Sequence, residues 1–256
     1  MNEHALSGRL AAPSFTLPGT VAENATFLSG KVDEVGLCFF ESDACMTYTQ
    51  DDLPSSLADL PLQWHVHLPV DLPWPATGHD TRQAAITAFT ILQKATFLHP
   101  HLAVLHPPEA DISRQRSLLS SFTFYWQSLT QNKGPQLALE NVGYADVISL
   151  GSSFLQEHGM AFCLDVGHLL GYAQNTLLQS ELPEQAALVH WSAPGRQDEH
   201  LPLDSLTLPQ RCTAQNLMAR LPCTAIHLVE IFYWQGIPPS LTLLDCLARS
   251  ALPCRG

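Results

Sequence analysis

Apolar and polar positions alternate along this chain on a long beat. Short runs rich in Val, Leu, Ile and Phe are separated by longer stretches whose apolar residues recur three or four apart. The runs occupy residues 9–13, 34–41, 63–67, 103–106, 136–140, 161–165, 187–190 and 225–230. Uninterrupted apolar runs of this kind are expected of strands buried on both faces. The stretches between them carry helix signals. Thr20-x-x-Glu23 is a capping-box pattern that opens a helix running to Gly30. Asp80 opens a helix through Ile86, Phe89, Leu92 and Lys94. Asp111 opens another through Leu118, Leu119, Phe122, Tyr125 and Leu129, stopped by Gly134-Pro135. Further helices are expected over 147–158, 169–178, 209–221 and 239–251.

Strand and helix thus alternate along the whole chain, which selects parallel βα units over a sandwich or a helical bundle. At 256 residues the chain suits one (β/α)8 TIM barrel, and no Gly/Ser-rich linker or shift in composition divides it. A single domain over 1–256 is therefore expected. The structural alternative, a doubly wound open sheet, normally shows a Gly-rich phosphate turn after its first strand, and Pro13-Ser14-Phe15 is no such turn.

In a parallel barrel the C-terminal strand ends converge on one mouth, so the residues that close the runs would meet there. All runs but the first close on, or beside, a possible metal ligand. His67 ends the third run; His65 shares its face, because side chains alternate with period two, but lies deeper. His106 ends the fourth, just before Pro107-Pro108, which cannot continue a ladder. Glu140 ends the fifth directly after Leu137-Ala138-Leu139, where a carboxylate is costly to bury unless it is paired or coordinates a cation. Asp165-Val166-Gly167-His168 closes the sixth, and a glycine turn there would point Asp165 and His168 into one mouth. His190 ends the seventh, and the loop after it carries Asp198-Glu199-His200, a spacing that lets Asp198 and His200 face one ion. Glu230 closes the eighth on the face of Leu228, with His227 on the other. A lone histidine in such a run is usually a hydrogen-bonded core residue. Five histidines and four carboxylates at one mouth are instead a ligand mix suited to Zn2+, with Mn2+ or Fe2+ served by the same donors.

Charge and composition narrow the substrate. The formal net charge is −12, and the only lysines are Lys31, Lys94 and Lys133. Nucleic acid is gripped by Lys and Arg that neutralise phosphates, so a small anionic molecule held by metal ions fits better. The seven cysteines form no CxxC pair, and their odd number argues against a complete disulfide framework. Cys163, two residues before Asp165, reads as a small core residue. The N-terminus shows no basic-then-apolar signal pattern and no run is long enough to span a membrane, so a soluble cytoplasmic protein with no membrane partner is expected. Trp74, Tyr172, Trp191 and Trp234 lie just beyond strand ends and are candidate substrate contacts; Arg196 is a candidate for meeting a phosphate. The sequence leaves the oligomeric state open.

At these residues the chain resembles the xylose-isomerase-like TIM barrels, and especially their AP endonuclease branch, over nearly its whole length. The resemblance implies metal-ligand roles for His67, His106, Glu140, Asp165, His168, His190, Asp198, His200 and Glu230. It implies three clusters: His67, His106 and Glu140; then Glu140, Asp165, His190 and Glu230; and finally His168, Asp198 and His200. Two or three divalent ions would result, zinc first and manganese second. Ala12-Pro13-Ser14-Phe15 with Pro18, the stretch 32–37 ending in Phe40-Glu41, and the stretch 65–72 are similar to cobamide-remodelling phosphodiesterases of that superfamily. That similarity implies hydrolysis of the nucleotide-loop phosphodiester of B12-type corrinoids, so that the lower ligand can be exchanged. Glu140 or Glu230 would orient the attacking water, and no protein nucleophile is required. His65, Glu41 and Asp71 would support the site or touch substrate. Three rivals remain. A sugar isomerase or epimerase of the same barrel would use one metal on Glu140, Asp165, His190 and Glu230. Repair of abasic DNA is disfavoured by the acidic balance. A corrinoid-binding or metal-storage module would hold its ligand without turnover.

Overall fold

The computed structural model describes Leu6 and residues 8–145, 147–196 and 199–251. Its strands are β1 (Arg9–Pro13), β2 (Glu34–Cys38), β3 (Gln63–His67), β4 (Leu102–Leu105), β5 (Gln136–Glu140), β6 (Ala161–Asp165), β7 (Ala186–Trp191) and β8 (Ile226–Val229). They close into a barrel in the order 1-8-7-6-5-4-3-2, and each neighbouring pair is parallel. The chain is a (β/α)8 TIM barrel. His106 and Glu230 fall one residue beyond the strands that aim them.

The helix signals hold where a side chain supplies the cap. In the helix Val21–Leu28, the Glu23 N–H donates to Thr20 Oγ1 at 3.2 Å and the Thr20 N–H donates to Glu23 Oε2 at 2.8 Å. The Asp111 side chain accepts from the Arg114 N–H at 3.0 Å and starts Ile112–Leu129. The helix expected from Asp80 is Arg82–Gln93, with Thr81 at its cap. Two expected helices are each two. The stretch 147–158 forms Val147–Leu150 and Ser152–Glu157, parted at Gly151 with φ 76°. Only glycine enters that left-handed region freely, so the break is encoded at that residue. The stretch 169–178 forms Val166–Gly171 and Asn175–Gln179, with Ala173 between them at φ 50°.

Every second residue of a strand faces the barrel interior. Ala11, Leu102, Val104, Ala138, Cys163, Leu188, Ile226 and Leu228 form a buried cluster distinct from the larger core around it. These positions are in phase with the expected ligands: Val104 with His106, Ala138 with Glu140, Cys163 with Asp165, Leu188 with His190 and Leu228 with Glu230. An apolar waist therefore fills the barrel, and the columns that build it continue upward to the mouth.

The floor is polar and closed. Glu34 is fully buried; Arg9 Nη1 lies 3.0 Å from its Oε2, and His65 Nδ1 and His101 Nε2 lie 2.6 and 3.5 Å from its Oε1. Removing an ion from water costs several kcal/mol unless partners meet it, and here three do. His65 thus belongs to the floor, not to the mouth.

Candidate metal centre

Glu140 stands at the middle of the mouth. Its Oε2 lies 3.2 Å from His67 Nε2 and 3.3 Å from His106 Nε2, while its Oε1 lies 3.4 Å from His168 Nδ1 and 3.5 Å from His190 Nδ1. His190 Nδ1 also lies 3.0 Å from Glu230 Oε2 and 3.8 Å from Asp165 Oδ2. His200 Nδ1 is 3.4 Å from Glu230 Oε2. Two donor groups with ligand atoms within 4.8 Å of one another share Glu140: His67, His106 and Glu140, and then Glu140, Asp165, His190 and Glu230. A third, Glu140, Cys163 and His190, overlaps the second.

These donors fit divalent cations because the protein leaves several of them unmet. Asp165 Oδ2, both ring nitrogens of His190, His200 Nδ1 and Glu230 Oε2 are buried without a well-directed hydrogen bond. Orphaned buried polar atoms are rare and costly, and five in one mouth call for a ligand. The donor chemistry, imidazole nitrogen and carboxylate oxygen, suits zinc or manganese.

The electrostatics are those of a site under strain. Burial works to raise the carboxyl of Glu140, but the imidazoles of His190 and His106 outweigh it and hold the group well below its usual range. Glu230 is lowered in the same way: burial raises it, and His190 and His200 prevail. Asp165 goes the other way, to about 7, because burial and the charges of Glu230 and Glu140 exceed the attraction of His168. Burial opposes the cation at His190, yet Cys163, Glu230 and Glu140 raise its pKa well above the ordinary value.

The remaining expected residues divide. His168 and His200 face each other with ring centroids 6.0 Å apart, beside a cavity of about 210 Å³ that Tyr172, Ser192, Pro194 and Glu199 also line. Asp198 lies outside the described residues. Gly167 makes no turn: Asp165 caps the helix Val166–Gly171 directly, its Oδ1 accepting from the His168 N–H at 2.5 Å. What the glycine permits is close packing, since a Cβ there would sit 2.3 Å from Ser192 Oγ.

Among the aromatic residues, Tyr172 is 49% exposed at the rim, its ring 5.9 Å from that of His168. Trp191 has no exposed surface and donates from Nε1 to His227 Nδ1 at 3.1 Å, so it is a core residue and cannot touch substrate. Trp74 packs on Phe122 at 5.2 Å, and Trp234 on Phe27 at 4.8 Å; both join the outer core. Arg196 is exposed, its N–H directed at Glu199 Oε2. Glu41 is exposed at the start of a short helix, and Asp71 Oδ1 accepts from the Ser42 N–H at 2.7 Å. Phe40 and Phe232, which were not anticipated, wall the mouth: Phe40 meets His67 at 5.3 Å and Phe232 at 5.5 Å, and Phe232 meets His200 at 5.4 Å. Strand parity carried the signal, because Phe40 lies two residues beyond Cys38 and Phe232 two beyond Glu230.

A closed parallel barrel defines the class of fold, a (β/α)8 barrel, and its mouth gathers donors that could hold metal. No family model and no curated protein matches the chain. Solved structures do. A protein of Thermus thermophilus soaked with ZnCl2 aligns at TM-score 0.69 and 21% identity, over 97% of this chain and 100% of that one. Endonuclease IV from the same organism aligns at 0.67 and 16% over 94% and 98%, and the 3-keto-D-glucoside 4-epimerase of E. coli at 0.66 and 12% over 94% and 99%. The structural neighbours are thus xylose-isomerase-like barrels of differing chemistry, and at these identities the likeness is one of fold. No helix among the described residues is long and apolar enough to cross a membrane.

Proposed function

We propose that the chain is a metal-dependent phosphodiesterase acting on the nucleotide-loop phosphodiester of B12-type corrinoids. The observation that carries this reading is the sharing of Glu140 between two donor groups. A proton shuttle beside a single metal has no use for His67 and His106, whereas a phosphodiester needs charge neutralised on several oxygens. Bound divalent ions would supply that neutralisation and lower the pKa of water toward about 7. The residues of the chain do the rest. Glu140, reached by four imidazoles, ties the two groups together. Glu230 Oε2, buried and without a well-directed hydrogen bond, is placed to orient the attacking water. Phe40, Phe232 and Tyr172 offer aromatic faces to a flat substrate. The acidic balance argues for a small molecule over nucleic acid. The corrinoid itself is supported by the motifs of the N-terminal third and by the aromatic residues Phe40, Phe232 and Tyr172 beside the site histidines.

One second reading has its own support. Glu140, Asp165, His190 and Glu230 form a complete set for one metal, and among the structural neighbours is a D-tagatose 3-epimerase-like protein. A sugar isomerase or epimerase would need no more.

Elemental analysis of purified protein, then chromatography of an adenosylcobalamin digest with added Zn2+ or Mn2+, tests the proposal. Two or three ions per chain and release of the lower ligand are expected. One ion with turnover of a sugar selects the isomerase, nicking of abasic duplex selects repair, and corrinoid binding without turnover selects a binding module.

A further inference from the structure

Three ligands of the mouth lean on one residue that ligates nothing. Asn141 follows Glu140, is fully buried, and sits just past the last β5–β6 pair, Glu140 with Cys163. Its Oδ1 accepts from the Asp165 N–H at 2.7 Å, and its Nδ2 donates to the Asp165 carbonyl at 2.9 Å. The side-chain amide thereby meets both backbone groups of Asp165 and continues the ladder beyond the strand. The second Nδ2 hydrogen goes to Gln174 Oε1 at 2.9 Å, and Gln174 Nε2 donates to the Val142 carbonyl at 2.9 Å. Finally, the Asn141 carbonyl lies 2.9 Å from His168 Nδ1. A carbonyl only accepts, so Nδ1 carries the proton and Nε2 is the lone-pair nitrogen of the neutral ring.

We infer that Asn141, clamped by Gln174, is a positioning residue that sets Asp165 and His168 for metal. It fixes the backbone that aims one and the tautomer that arms the other, and its own backbone carries Glu140. The inference rests on the metal-centre part of the proposed function and not on the substrate. Outer hydrogen bonds of this type typically carry about 10–100-fold in metal affinity. Asn141→Asp is the sharpest perturbation, because it keeps an acceptor for the Asp165 N–H while setting an oxygen against two others, the Asp165 carbonyl and Gln174 Oε1.

The test is competitive titration of Zn2+ into metal-free wild type, Asn141→Ala, Asn141→Asp and Gln174→Ala, each with a thermal melt. Asn24→Ala serves as control, since Asn24 is equally buried and hydrogen-bonded, to Thr16 and Leu17, with no contact to the mouth. Both Asn141 variants are expected to weaken the zinc on Asp165, and any further zinc on His168, about 10–100-fold and Gln174→Ala less, with the His67–His106 zinc held within about threefold. Asn24→Ala should lower the melting temperature without changing affinity. Wild-type affinity in the Asn141 variants, or an affinity loss matched by Asn24→Ala at equal destabilisation, overturns the inference. A wild type that takes up no zinc overturns it together with the metal centre, whereas failure to cleave a corrinoid touches only the substrate.

Discussion

Glu140→Gln isolates the charge of the bridging carboxylate while keeping its shape. The four imidazoles stand 3.2–3.5 Å from the Glu140 oxygens, so a cation among them lies within about 4 Å of that charge. At an effective dielectric of about 20, one unit pair at about 4 Å is worth about 4 kcal/mol, which is a lower bound for a divalent ion and corresponds to at least about a thousandfold in affinity. Thermal melts of metal-free protein, with chelator or with zinc at about 1,000 times the wild-type Kd, read the difference. Wild type should gain about 4 kcal/mol from the zinc, and a variant bound a thousandfold more weakly only about 0.4. At about 2–4 °C per kcal/mol for a chain of this size, the wild-type shift is about 8–16 °C and the variant shift about 1–2 °C. In chelator the variant should lose no more than about 3 kcal/mol, the worth of a hydrogen bond to a charged group. An undiminished zinc shift in the variant, or a variant unfolded in chelator, would refute the reasoning.

The floor predicts acid sensitivity. Burial works to raise the carboxyl of Glu34, but its bond to His65 and the charges of His65, His101 and Arg9 bring it below the ordinary 4.5. Its contribution is therefore complete above that value and lost as pH falls through the lowered one, so the stability gap between wild type and Glu34→Gln should narrow in acid; urea melts giving a constant gap would exclude this. Phe40→Ala and Phe232→Ala should each raise KM for an aromatic-bearing phosphodiester by about 2–10-fold, with zinc content unchanged, and steady-state kinetics showing an unaltered KM would remove both from the substrate surface. Gly167→Ala should cost about 1–3 kcal/mol in chemical denaturation through its clash with Ser192 Oγ, and Ser192→Ala should restore most of it; no recovery in the double variant would place the strain elsewhere.

Much of this was written in the sequence because parallel barrels turn one-dimensional parity into three-dimensional position. His67 and His65 differ by two residues on one face, and that alone separates the mouth from the floor. The same parity explains the failures. Trp191 follows His190 directly and so must point outward, toward the helices; proximity to a strand end is a weaker guide than direction. Apolar spacing continues across the breaks at Gly151 and Ala173; the glycine was the one signal of the first, and only the backbone angle reveals the second. The floor was missed because Arg9 and His101 reach Glu34 from β1 and from the residue before β4, a meeting that depends on how far the closed barrel staggers its strands. Asn141 was legible only as the neighbour of Glu140, since its partners come from β6 and the segment after it.

The barrel sets one experiment of nature beside another. Both ends bury carboxylates among histidines, yet their partners differ in kind. At the floor a cation of the chain, Arg9, meets Glu34, and the charges close on themselves around it. At the mouth no Lys or Arg pairs with Glu140, Asp165 or Glu230 among the described residues, and five buried donor and acceptor atoms are left without well-directed bonds, against the single oxygen Glu34 Oε2 at the floor, which has Arg9 at ion-pair distance. A fold that needed only stability could have placed a guanidinium there, as it did below, or filled the space with apolar side chains, which is often neutral or better. The apolar waist separates the two clusters, so the mouth cannot draw on the cation at the floor. What the upper cluster lacks is a permanent cation: only imidazoles face its carboxylates among the described residues, and imidazoles can give up their protons and serve a metal as ligands, which is the strongest physical ground for the metal reading.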